Sequence, residues 1–298
     1  MQICEKCREL HDLTESQRVC PLSNDKMRRL VDLQKHKDTA KHQANQYQQC
    51  KQDLKSGKVH SIILSLWLFA IYGIYTKLFL QCGDECIVVQ DFTKFYTRSG
   101  KVVDLVLVVF FRNNENEINW EYLDYFSTDP EDFYLVRAAW THLLIETTKL
   151  QRFNTIFIWS DGAVQHFKQA KTLYWFSTFP QVYQKGVNYS FFASYHGHSM
   201  CDSHAGIGKQ QITRRETENQ LQMLNADDIC EVYSTLKKTT TYSVIGNRDH
   251  VVHVKPFRGI LSYHQYVSVS AGVLGCRKLS NVGDFNYESM PLAEITTQ

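Results

Sequence analysis

A chain of 298 residues with 43% hydrophobic and 13% aromatic content can bury a large core, which excludes a disordered chain and a disulfide-stapled miniprotein. Lys and Arg number 33 against 31 Asp and Glu, which excludes a histone-like polycation, so any nucleic-acid face must be local. Nine cysteines at wide spacing and a polar opening without a signal-peptide core point to free thiols in a reducing, intracellular compartment.

Residues 1–60 hold 12 Lys and Arg against 8 Asp and Glu, so the basic excess is N-terminal. Met27–Lys55 lacks Pro and Gly and carries Leu30, Leu33, Ala40 and Ala44 among polar residues, which predicts a long, mostly solvated helix. Cys4 and Cys7 form a C-x2-C pair, and His36 and His42 follow on that helix. Two thiolates and two imidazoles complete a tetrahedral shell, so these four are candidate Zn2+ ligands, with a pair of reduced surface thiols as the alternative. Residues 61–85 form an apolar connection. Its uninterrupted part, Ile62–Tyr75, is shorter than the about 20 residues a membrane span needs, which favours a buried segment over a membrane anchor.

From Cys86 the pattern changes to strands. Ile87–Phe92, Val102–Phe111 and Ile118–Phe126 are short β-branched and aromatic runs in succession, which predicts a meander. Asp129-Pro130-Glu131 reads as the start of a helix over Phe133–Lys149. Thr155–Asp161 is a further strand, residues 164–179 a helix, and Tyr189–Tyr195 a strand. Asp202–Lys237 reads as a polar helical region broken near Asn225-Ala226-Asp227. Val251–Pro256 and Ile260–Val269 suggest two more strands, and residues 271–298 a tail, frayed over its last fifteen or so positions. The fold class is therefore α/β, a mixed sheet with flanking helices behind a mostly helical N-terminal segment.

Asp91 and Asp161 each stand where an apolar run gives way to polar residues. Two carboxylates at neighbouring strand ends repel unless a divalent cation neutralises them, so Mg2+ or Mn2+ is the expected cofactor. An Asp after a strand is also a common turn residue, and Gly162 after Asp161 fits that reading. Asp202 follows the next strand and opens a helix, where a carboxylate is favoured. Lys209 lies seven residues on, on the same helical face, and suits a phosphate.

The runs Ser160-Asp161-Gly162 through Lys168, Phe191-Phe192-Ala193 through His196-Gly197, and Cys201-Asp202 through Lys209 are similar to a pattern in transposase-derived animal proteins, SDGxxxxxK then FFAxxHGKxxCDGxGGxxK. Here HGK reads His196-Gly197-His198, and CDGxGG reads Cys201-Asp202-Ser203-His204-Ala205-Gly206. The resemblance implies a ribonuclease-H-like domain of the DDE/D cut-and-paste transposase class over residues 86–270. It implies nuclear DNA strand cleavage and transfer with two metal ions on Asp91, Asp161 and a third acid, and DNA phosphate contacts from Lys168, His196, His198 and Lys209. Cys201 and His204 also satisfy the CxxH motif of such transposases, which leaves Glu216 and Glu218 as alternatives to Asp202. A homo-oligomer is compatible with this reading, and a catalytically inactive DNA- or protein-binding relic is its rival.

Overall fold

The computed structural model describes residues 5–19, 24–56, 85–115, 117–193, 199–219, 225–249 and 253–292. Cys4, the segment Ile62–Tyr75, His196 and His198 lie outside the described residues. Among the described residues, no helix is long and apolar enough to cross a membrane.

Glu85–Thr97 (β1) and Gly100–Arg112 (β2) form a long antiparallel hairpin, β2 being buried on both faces by its run of Val, Leu and Phe. Thr97 Oγ1 donates to the Gly100 carbonyl at 2.9 Å across the turn, with Gly100 at φ +131°, a conformation that favours glycine. Ile118–Ser127 (β3) completes the predicted meander. The next helix, Phe133–Thr141 (α3), starts on Asp132, whose carboxylate accepts from the Tyr134 and Leu135 amides. It does not run to Lys149 as the sequence suggests. The chain widens into a π turn over His142–Glu146, where the Thr147 amide reaches the His142 carbonyl and its hydroxyl takes the Leu143 carbonyl.

Thr155–Ser160 (β4) returns parallel to β1, and Gly186–Phe191 (β5) lies parallel to β4. Between them Ala170–Ser177 (α4) begins later than expected, because the Phe167 and Lys168 amides fold back onto the Ala163 carbonyl in a turn. One further turn, Phe179–Val182 (α5), precedes β5. Met200–Asn219 (α6) and Ala226–Ser234 (α7) part at Asn225, which caps α7 in a reciprocal box with Asp228. The break falls where the sequence predicts it. The Thr239-Thr240-Thr241 run carries no strand expectation, yet Thr239–Ser243 (β6) pairs parallel with β3.

Two expectations for the C-terminal part are corrected. Of the strand expected over Val251–Pro256, Val251 and Val252 lie outside the described residues and Val254 makes one isolated bridge to Leu292, while Ile260–Ser262 is a 3-10 turn before Gln265–Ser270 (β7). The tail expected over residues 271–298 instead supplies Val273–Arg277 (β8) and Asn286–Ser289 (β9), because their backbone groups extend the β7 edge. Among the described residues the result is a nine-stranded mixed sheet in the order β6-β3-β2-β1-β4-β5-β7-β8-β9, an α/β architecture.

One face of the sheet packs against α3 and α4 through Leu105, Leu107, Tyr125, Trp140 and Phe176. The opposite face receives Asn24–Ser56 (α2), which pairs with Glu5–Val19 (α1). This helix is less solvated than its composition suggests: Leu33, Ala40, Gln43, Tyr47 and Cys50 form a buried stripe. Tyr47 meets Trp159 at 5.4 Å and Phe192 at 5.2 Å, while Gln43 donates to the Phe191 carbonyl and accepts the Ser280 amide. The basic N-terminal segment is thus seated on the sheet.

Candidate functional site

The site lies where β4 leaves the side of β1. The last parallel pair is Gln90 with Ser160, so the next residues, Asp91 and Asp161, continue adjacent strands about 4.8 Å apart. Asp91 does not end its strand, as its sequence suggests, because the hairpin carries β1 on to Thr97; what ends there is the pairing with β4. Helix α6 starts at Met200 and brings Asp202 in its first turn to the same place.

Electrostatics records the convergence. Burial, then the charge of Asp161, then that of Asp202 push Asp91 up to about 7. Burial also raises Asp161, with Asp202 adding to the rise, while the Ala163 amide and His166 oppose it. One oxygen of each carboxylate takes a nearby amide: Phe92 on Asp91 at 2.7 Å, Ala163 on Asp161 at 3.2 Å and Ser199 on Asp202 at 2.8 Å. Among the described residues, no three His, Cys, Asp or Glu side chains form a ready-made metal cage.

Two further groups lie close by, His166 acting on Asp161 and the Lys168 side chain near Gly162. Lys168 is buried, with Nζ 5.3 Å from the Phe191 ring centre, and burial pushes it down to about 8. His166 is buried against Phe92 at 4.8 Å; burial lowers it, and Asp161 counteracts.

Beneath the carboxylates, on the other side of the pleat, the preceding residues are tied across three strands. Trp140 Nε1 donates to Gln90 at 2.8 Å, Gln90 donates to the Tyr189 hydroxyl at 2.6 Å, and Tyr189 meets Ser160 Oγ at 2.9 Å. Ser160 Oγ donates to the Asp161 carbonyl, so Tyr189 must donate to Ser160. The chain fixes the β1, β4 and β5 ends relative to one another. Tyr189→Phe leaves Gln90 and Ser160 short of a partner and is expected to cost about 1–3 kcal/mol. Urea unfolding checks this; an unchanged midpoint would mean that the strand ends do not depend on the hydroxyl.

The remaining expected residues divide clearly. Helix α6 is continuous from Met200 to Asn219, with Gly206 and Gly208 inside it, so Glu216 stands about 21 Å along the axis from Asp202. Glu218 pairs with Arg214 at 2.7 Å on the surface. Neither therefore joins Asp91 and Asp161. Lys209 lies over the Phe95 ring at 5.5 Å, on the part of β1 beyond Asp91. Cys201 is buried, 3.5 Å from the Val89 carbonyl, and His204 is buried on Asp124 at 2.9 Å, stacked on Tyr122 at 4.0 Å. This motif seats the helix. Of the zinc candidates, Cys7 is on α1 and His36 and His42 on α2, where His42 Nε2 bonds the Ser280 carbonyl at 2.9 Å.

Sequence reasoning passes over Gln90, His166 and Tyr189, and over two fully buried acids, Asp104 and Asp124. The acids had a signal: each interrupts an apolar strand run, VVDLVLVV and YLDYF.

A family model described as Domain of unknown function (DUF8701) matches residues 81–280, more than half of the chain. No curated protein matches. Among solved structures, the chain is similar to one in the simian T-cell lymphotropic virus intasome in complex with PP2A regulatory subunit B56 gamma. The two share 11% identity at a TM-score of 0.30, over 71% of this chain and 82% of that one.

Proposed function

The chain belongs to the family described as Domain of unknown function (DUF8701), and from the geometry of its site we propose that it is a ribonuclease-H-like, transposase-type nuclease that cleaves or transfers DNA strands with divalent metal ions on Asp91, Asp161 and Asp202. The observation that carries this reading is the convergence of Asp91, Asp161 and Asp202 at one strand edge, where burial, and after it the charges of Asp161 and Asp202, raises Asp91 to about 7. The β3-β2-β1-β4-β5 order, an antiparallel meander continued by two parallel strands, supports it.

Mg2+ or Mn2+ fits the donor set, which is all carboxylate oxygen with no soft ligand. A cation bound there supplies Lewis acidity toward a DNA phosphate, so the chemistry needs no side-chain nucleophile. The protein's own contribution is placement. The Trp140-Gln90-Tyr189-Ser160 chain holds the strand ends, and the Phe92, Ala163 and Ser199 amides aim the three carboxylates. Lys168, cationic at neutral pH and seated on the Phe191 ring, is the positive charge we assign to a phosphate at the β5 end.

The test is nicking of duplex DNA in Mg2+ or Mn2+. Wild type is expected to nick and Asp161→Asn to lose the activity. DNA binding unaffected by Asp161→Asn, with no nicking in either metal, would support the binding-module reading instead.

A further inference from the structure

Asp104 on β2 and Asp124 on β3 project from the face covered by α6 and α7, and neither is exposed at all. In register Asp104 faces Phe126 and Asp124 faces Val106, so the two carboxyl groups are diagonal neighbours within hydrogen-bond reach of each other. His204 Nε2 meets Asp124 Oδ2 at 2.9 Å, whereas Oδ1 of Asp124 and both oxygens of Asp104 make no well-formed hydrogen bond when both groups are charged, the Tyr125 amide alone lying near Asp104. Two fully buried anions with three unpartnered oxygens are costly. One proton between them removes the conflict: Asp104 O–H donates to Asp124, which stays ionised and also accepts from His204.

We propose that Asp104 and Asp124 share a single proton, and that this carboxyl pair, through His204, is the latch that holds α6 on the sheet. The helix lies along the pair. Cys201, His204, Ala205, Gly208 and Ile212 form its buried stripe. Burial, then the neighbouring carboxylate, raises Asp104 well above the carboxylate range; the Tyr125 amide and Lys209 oppose this and are outweighed. Asp124 is raised by burial. The other titratable groups around the pair are His204, Cys201 and Lys209 of α6, Cys230 and Tyr233 of α7, and Tyr122 of β3. On β1 and β6 the residues opposite are Thr93 and Thr241. Burial holds His204 neutral at about 4 and raises the thiols and phenols, Cys230 to about 12; a further raised carboxyl beside α6, Asp91 at about 7, acts on Cys201 and Asp202 and not on the pair.

The sign follows from the raised protonation range. The stabilisation is complete at low pH and is lost as pH rises through the folded-state range, because the second buried charge then appears. Only the consequence for Asp202, which α6 carries, rests on the metal-site reading.

The experiment is amide hydrogen exchange over residues 200–212, corrected for base catalysis and referenced to β4 and β5, in the full chain of wild type and Asp104→Asn. The asparagine keeps a donor to Asp124 but has no proton to lose. Protection of α6 is expected to fall severalfold further with rising pH in wild type than in Asp104→Asn, the titration of Asp91 being common to both. Parallel pH profiles in the two proteins overturn the proposal. Should Asp104→Asn fail to fold, infrared spectra of wild type above the titration of Asp91 decide: a persisting un-ionised carboxyl band supports the shared proton, and its absence overturns it. Neither readout involves DNA or metal, so a failure to nick leaves the latch standing and parallel exchange profiles leave the nuclease reading standing.

Discussion

Asp91→Asn is expected to make the metal-free protein more stable while removing the proposed nicking activity. The Asp91 carboxyl titrates at about 7 in the folded state, well above its unfolded range, so folding holds a proton that the unfolded chain releases. Stability is therefore lost as pH rises from the unfolded carboxylate range to about 7, and the whole penalty is present above it. A displacement of this size corresponds to roughly 4 kcal/mol at full effect, and the partly open side chain brings the expectation to about 2 kcal/mol. Asparagine keeps the oxygen that accepts the Phe92 amide and removes the charge. Urea unfolding without divalent metal should show the variant more stable at pH 8 and equal to wild type below about pH 4. Added Mg2+ should narrow the gap by stabilising only wild type. A variant less stable than wild type at both pH values would contradict the penalty that burial and the neighbouring carboxylates place on charged Asp91.

The second large effect concerns two glycines in one helix. A Cβ on Gly208 would sit 2.0 Å from the Tyr233 ring, whereas a Cβ on Gly206 meets nothing within 4 Å. Tyr233 cannot withdraw, being packed by Phe95 at 5.8 Å, Phe126 at 5.1 Å and His204 at 5.4 Å. Gly208→Ala is therefore expected to destabilise by about 2 kcal/mol, the overpacking outweighing the gain in helix propensity. Gly206→Ala should stabilise by up to about 1 kcal/mol. Thermal melts of the two variants check the contrast, and like behaviour of both would mean that α6 is not pressed against α7.

Much of this framework is legible in the sequence because it follows from local pattern. The meander shows as three β-branched runs, and the α6–α7 break shows as a capping asparagine followed by acids. Asp161 is marked by the apolar strand before it, although Gly162 after it also fits an ordinary turn. Asp91 is harder to read, since the hairpin continues beyond it and only the pairing with β4 makes it an edge. The last strands escaped because β6, β8 and β9 are short and draw their stability from neighbours distant in sequence. The same holds for the Gln90-Tyr189-Ser160 chain, which joins residues up to 99 positions apart. Choosing Asp202 over Glu216 turns on where α6 begins, and Gly206 and Gly208 obscure that start because glycine more often ends helices than lines them. Here Gly208 is inside the helix because a larger residue would meet Tyr233.

The most direct test of the account is metal-dependent nicking of duplex DNA by wild type, Asp91→Asn, Asp161→Asn, Asp202→Asn and Glu216→Gln, each shown to be folded. The three asparagine variants are expected to lose at least about 100-fold in rate, as the proposed metal ligands should, while Glu216→Gln keeps the wild-type rate. Nicking at the wild-type rate by Asp91→Asn and Asp161→Asn would contradict the account.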